Sequence, residues 1–426
     1  MHMRTICIVA TNRSDYGRLK PVMDALRARD DIKLRILIGS FAYFDNFFSY
    51  LRHANPTSLI RSLPWYIRAR LTHLLGGDTA ALWHERMAQT MAADGYAVDA
   101  RLSLLVEGGS PAEMVSSAGF GLLGLPAIFK KLKPDIVLIN GDRFEIISVA
   151  IAAAYMNIPL AHIEGGDVSG TIDNSTRHAI SKLAHLHFPA TVQSAERLAR
   201  MGEDPKTVFT FGSPIIDSLK EIDMHLDNSF YDRYPLEVGR IDLTKPYILV
   251  SHHPVTTEYE DNYRQMKELL AALDNVGLPQ FFIASNIDAG SDGIAIAMRE
   301  YRATDGIERS VFHKHVALEE YIRLLAHAAV AVGNSSSFLR EAAYLGTPAV
   351  LVGMRQLYRE RGDNVQEVAT ERKNIADAIR TQLKHGPYTQ DVRFGDGTAA
   401  KCIAEVLATH DLEKINVQKY FWESGV

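Results

Sequence analysis

Only two cysteines occur among 426 residues, Cys7 and Cys402. That is too few, and too far apart, for a disulfide framework or a thiolate metal site, and it suits a reducing cytosol. Neither sign of charge dominates: 46 Lys and Arg stand against 51 Asp and Glu, a net charge of −5. No field over the whole molecule therefore favours nucleic acid. Long apolar runs are lacking as well. No stretch reads as a membrane span, and the run 6–10 is too short for the core of a signal peptide and is followed by polar residues. The first strand is not followed by G-x-G-x-x-G, so the dinucleotide fingerprint is missing. What is left is a cytoplasmic α/β protein, 47% hydrophobic, long enough for two cores.

The stretch 133–178, KPDIVLINGDRFEIISVAIAAAYMNIPLAHIEGGDVSGTIDNSTRH, organises the chain. The β-branched run 136–139 stops at Gly141-Asp142-Arg143, and an Ala-rich helix follows over 146–156. A second apolar run, 158–163, stops at Glu164-Gly165-Gly166. Two strands joined by a crossover helix put Asp142 and Glu164 at the carboxyl edge of a parallel sheet, where open α/β sheets hold ligands. Asp173 follows on a loop with Gly165, Gly166 and Gly170. Three carboxylates beside Arg143 exceed what a fold requires.

Around this stretch the pattern predicts a doubly wound sheet with strands at 5–10, 32–38, 100–106, 136–139, 158–163, 187–189 and 208–211. Helices are expected at 19–27, 113–132, 176–186 and 194–201, the last with Ser194 as N-cap. Arg13, in the loop after the first strand, suits a phosphate or nucleobase, and equally an ordinary surface arginine. Residues 41–93 interrupt the rhythm with an aromatic segment that holds no acidic residue between Asn46 and Gly77. It reads as two or three inserted helices: a cap over the ligand, a basic patch on an anionic membrane, or a packing excrescence. The polar stretch 227–246 reads as a linker, broken at Pro235, Gly239 and Pro246. Strands then restart at 247–250, 280–284, 311–316, 328–332 and 349–352, with a helix over 400–409. The domains are thus 1–236, 237–400 and a tail, 401–426, that returns to the first.

Two such domains set their strand ends face to face across a cleft, which suits a nucleotide sugar. In GNSSSFLREAAYLG (333–346) a turn directly before a helix offers backbone N–H groups and hydroxyls to an anion. Glu341, less than two turns into that helix, suits a ribose. The same residues also fit a plain Ser N-cap with a solvated glutamate.

With NRSDYG (12–17), KPDIVLINGDRFE (133–145), HIEGGDVSGTIDNSTRHAISKLAH (162–185), HHPVTTE (252–258), NIDAGS (286–291), GNSSSFLREAAYLGTP (333–348) and GMRQLYRERGDNV (353–365), the chain resembles the hydrolysing UDP-N-acetylglucosamine 2-epimerases. It is most similar to the branch that serves sialic-type acid synthesis. The resemblance implies a GT-B fold, two Rossmann-like domains facing a cleft, with no NAD, no catalytic metal and a homodimeric assembly. It implies that Asp142, Glu164, Asp173 and His253 are catalytic. Asp142 or Glu164 would be the base at carbon 2, Asp173 a partner in hydration and His253 an aid to the departing diphosphate. Ser335 and Ser336 match diphosphate contacts, Glu341 a ribose contact, and Arg13 and Asn286 nucleotide-side contacts, with Arg143 and Arg355 as electrostatic support. The chain departs from the family at Phe41, where relatives commonly carry histidine, and in the insertion. Both changes bear on which sugar is taken.

Overall fold

The computed structural model describes residues 3–11, 13–41, 80–106, 110–234, 239–285, 288–303, 309–314 and 316–423. Asn286 and most of the expected insertion, 42–79, lie outside the described residues, as do the side chains of Arg13 and Phe41. The cap and membrane readings of the insertion fall there too.

The first half alternates strand and helix in chain order: β1 Arg4–Ala10, α1 Arg13–Arg27, β2 Ile32–Phe41, α2 Ala80–Ala93, β3 Ala100–Leu105, α3 Pro111–Leu132, β4 Ile136–Asn140, α4 Ile146–Tyr155, β5 Leu160–Ile163, α5 Asp173–Leu183, β6 Leu186–Phe188 and α6 Val192–Arg200. Its sheet is parallel, in the order β3-β2-β1-β4-β5-β6. Alternation along β1 explains why both faces are apolar. Ile6, Ile8 and Ala10 pack with α1, while Cys7 and Val9 pack with α3 and α4.

After α7 Ile215–Glu221 and α8 Phe230–Arg233 the second half repeats the plan: β7 Ile248–Ser251, α9 Asn262–Val276, β8 Gln280–Ile283, α10 Ser291–Tyr301, β9 Ser310–His313, α11 Leu318–His327, β10 Val330–Gly333, α12 Glu341–Leu345, β11 Ala349–Val352, β12 Val365–Val368 and α13 Arg372–His385. Its sheet runs β12-β11-β10-β7-β8-β9, also parallel. Read from the opposite edge, this is the winding order of the first sheet. α14 Ala399–Thr409 then crosses back, and Ile403, Ala404 and Leu407 join the core built on Leu19 and Met23 of α1. The outward and return passages touch at Gly212 and Gly395, where Ser213 N donates to Phe394 O at 2.7 Å.

Several expectations are corrected. Residues 208–211 form no strand, only a bridge from Val208 to His187, because Phe209 and Phe211 turn their rings onto Phe188. Among the described residues the first sheet thus has six strands. β12 was not anticipated, since VQEV carries no apolar run and is half-buried at an edge. α6 is capped by Thr191 rather than Ser194: the Thr191 hydroxyl accepts from Ser194 N. The stretch read as a linker is packed: Phe230, Tyr231, Ile241 and Leu243 are buried in the core of the second half. α3 is long and apolar enough to cross a membrane, which no stretch was expected to be. Its Leu125 and Phe129 lie in the core under the first sheet, while Val115 and Leu123 are exposed.

Candidate active site

The carboxyl ends of both sheets open into one cavity of about 710 Å³. Each sheet reverses its winding order at the middle, between β1 and β4 and between β7 and β10. The loops leaving those strands diverge and leave a crevice. The first half contributes Asp142, Glu164 and Asp173, and the second half contributes His253, Ser335 and Ser336. Glu341, Arg143 and Arg355 line the same space. Every expected site residue whose side chain is described therefore meets in one place.

The three carboxylates have different settings. Asp142, just past β4, is ion-paired with Arg177 of α5. Glu164, just past β5, is buried and adopts φ 61°, a left-handed backbone that side chains other than glycine rarely take. It accepts a hydrogen bond from Ser213 Oγ at 2.6 Å, is paired with Arg340, and lies 4.0 Å from Arg18. Burial pushes its pKa up, but the guanidiniums of Arg340 and Arg18 and the Ser213 hydroxyl outweigh burial and hold it down at about 2. Asp173 is not on a loop but opens α5. Burial and the neighbouring Asp288 raise its pKa, against the pull of Arg355 and Arg143.

His253 is fixed by its backbone: its N–H donates to Asn334 Oδ1 at 2.7 Å, and Asn334 Nδ2 donates to its carbonyl at 2.8 Å. Burial, then Arg355, keeps the imidazole well below its usual pKa, so the ring is neutral at pH 7. The Gly-Asn-Ser-Ser turn does not run straight into a helix. Ser335 caps a single 3-10 turn, and Glu341 is the first residue of the short α12. Glu341 Oε2 is buried and accepts no hydrogen bond among the described residues, with Arg340 Nε 3.8 Å away.

Four arginines in this cavity were not singled out from sequence: Arg18, Arg177, Arg340 and Arg359. A signal existed for two of them. Arg177 stands one helical turn after Asp173, and Arg340 directly precedes Glu341. Asp288 was also missed; it lies 3.0 Å from Arg143 Nη1 and ties the second half to the first. Arg359 Nε reaches Asp167 Oδ2 at 2.7 Å, and Gly170 N donates to Arg355 O at 3.1 Å, so the halves are in contact across the cleft. Guanidiniums gathered around a few carboxylates suit a ligand that carries phosphate. Among the described residues, no three or more His, Cys, Asp or Glu side chains are arranged to hold a metal ion.

Comparison with known proteins gives the same picture. A family model described as UDP-N-acetylglucosamine 2-epimerase matches residues 78–408. The chain is 31% identical to a hydrolysing UDP-N,N'-diacetylbacillosamine 2-epimerase of Legionella pneumophila over 407 residues, 96% of each protein. It is 28% identical over 421 residues to a UDP-N-acetylglucosamine 2-epimerase of Neisseria meningitidis, 98% of each. Among solved structures it resembles the Neisseria meningitidis UDP-GlcNAc 2-epimerase bound to UDP-GlcNAc. The TM-score is 0.69 at 16% identity, covering 95% of this chain and 99% of that one. The Methanocaldococcus jannaschii UDP-GlcNAc 2-epimerase, in complex with UDP-GlcNAc and UDP, gives 0.70 at 15% identity with the same coverage. These two likenesses establish the fold, two facing Rossmann-like domains of the GT-B kind.

Proposed function

The chain belongs to the UDP-N-acetylglucosamine 2-epimerase family, and from that premise we propose that it is a hydrolysing nucleotide-sugar 2-epimerase. It converts UDP-GlcNAc and water into ManNAc and UDP, for nonulosonic acid synthesis. The observation that carries this reading is the meeting of Asp142, Glu164 and Asp173 with the Ser335–Ser336 turn and Glu341 in one cavity.

In the first step a carboxylate, Asp142 or Glu164, takes the proton on carbon 2. The C–H pair becomes the C1–C2 double bond, and the C1–O bond breaks onto the diphosphate. No carbonyl acidifies carbon 2, so charge develops at the ring and on the leaving group. Carboxylates and guanidiniums are placed to meet both. In the second step water adds its oxygen to carbon 1 of the 2-acetamidoglucal, and a proton reaches carbon 2 from the other face. Asp173, with its raised pKa, is suited to hold that proton. A neutral His253 donates a single hydrogen bond to the diphosphate, Ser335 and Ser336 bind it, and Glu341 accepts from the ribose. Arg13 and Asn286 complete the nucleotide contacts, Arg143 and Arg355 support the charge, and the enzyme works as a homodimer.

A second substrate is favoured by the Legionella relative, whose name gives a UDP-linked diacetamido-trideoxy sugar, and by Phe41, where relatives commonly carry histidine. Proton NMR in D2O without an acceptor tests both. Free ManNAc deuterated at carbon 2, with UDP, is the expected product from UDP-GlcNAc. Turnover of UDP-N,N'-diacetylbacillosamine alone moves the assignment to that sugar. Product formation only with an added acceptor rejects the epimerase reading for a glycosyltransferase.

A further inference from the structure

Glu164 and Ser336 share the same two guanidiniums. Arg340 is ion-paired with Glu164 Oε2 and donates from Nη2 to Ser336 Oγ at 3.1 Å. Arg18 donates to the same hydroxyl at 3.3 Å and lies 4.0 Å from the same carboxylate oxygen. Arg340 is buried, and its Nε, 3.8 Å from Glu341 Oε2, makes no hydrogen bond among the described residues. Glu164 comes from the first half of the molecule and Arg340 with Ser336 from the second, so this network spans the cleft.

A carboxylate that accepts from Arg340 and from Ser213 Oγ at 2.6 Å is well stabilised in its ionised form and a poor base. A diphosphate at Ser336 would bring several anionic oxygens to the same guanidiniums, and the planar guanidinium fork matches phosphate geometry. Accepting the epimerase reading above, we propose that Arg340 is a positioning residue that changes partner. Paired with Glu164 it keeps that carboxylate from acting as a base, and when a diphosphate binds at Ser336 it moves to the phosphate and frees Glu164 to take the carbon-2 proton. The same guanidinium then faces the charge that the breaking C1–O bond leaves on the diphosphate. Proton removal is thereby tied to the presence of the group that must leave.

The exchange predicts a coupling between Glu164 and Arg340 that UDP binding reads without turnover. Calorimetric titration of UDP into four proteins gives the cycle: wild type, Glu164→Gln, Arg340→Gln and the double variant. With Arg340 present, Glu164→Gln tightens UDP by about tenfold, because the diphosphate no longer competes for the guanidinium. In the Arg340→Gln background the same change tightens it by no more than about twofold. Equal tightening in both backgrounds overturns the proposal, since loss of a repelling charge then explains it; so does no tightening at all. Arg340→Lys supplies a second background that keeps the charge and loses the fork. A tightening between the two values supports the exchange, and one as large as with arginine overturns it. A wild type that binds no UDP overturns the functional reading and this proposal together, whereas failure of the coupling with UDP bound overturns this proposal alone.

Discussion

Asp173 and Glu164 are nine residues apart in sequence and opposite in electrostatic setting. Burial and Asp288 make Asp173 favour its protonated form, whereas Arg340 and Arg18 overcome burial to keep Glu164 ionised. A pair of carboxyls pushed apart in this way is suited to acid and base roles. Because the folded state raises the pKa of Asp173, it binds that proton more tightly than the unfolded chain does. Stability from this group is complete below the unfolded pKa and is lost as pH rises through the folded one. Asp173→Asn is therefore expected to lower kcat by about 10²–10⁴-fold. In thermal melts it should equal wild type below the unfolded pKa and exceed it as pH rises above that value. At this scale the acidic half of the site was legible, because carboxylates directly after buried runs stand at a parallel sheet's ligand-binding edge. The basic half was legible only at Arg143 and Arg355. A lone arginine within a helical pattern, such as Arg18, reads as a solvated residue, and only the folded cleft brings it to the same hydroxyl as Arg340, 322 positions later in the chain.

Strands were the readable elements, since a parallel strand covered on both faces must be a continuous apolar run. β4 and β11 fall where such runs stand. The same rule explains the failures: past the single bridge at Val208, Phe209 and Phe211 pack their rings on one another and on Phe188, and edge strand β12 needs no apolar run. Helix starts depend on a single hydroxyl and are easily displaced by a few residues. At α6 the cap is Thr191, which also meets Glu360 of the second half. Thr191→Ala is expected to cost about 1 kcal/mol. In a chain of this size that lowers the melting temperature by about 1–2 °C. Thr191→Ser should restore it, whereas Ser194→Ala, at the position expected from sequence, should cost less.

At the scale of the whole molecule, function rests on how closely the two halves meet. A Cβ on Gly170 would overlap the Met354 carbonyl oxygen, beside the hydrogen bond from Gly170 N to Arg355 O. Gly170→Ala is expected to lower kcat/KM by about a hundredfold, the effect of a misplacement near 1 Å in an assembled site. Its circular dichroism spectrum should match wild type. Loss of the fold, or unchanged kcat/KM, would contradict this account of the contact.

The touching passages at Gly212 and Gly395 have a mechanical consequence. Both glycines hold positive φ, 93° and 129°, and a side chain on Gly212 would meet Gly395 Cα. Two covalent threads that run between bodies at separate points resist most rotations. Here they run side by side, so the halves share one pivot beside the cleft. A rotation about it would need only small torsional changes at the pivot and would give large displacements at the far rim of the cleft.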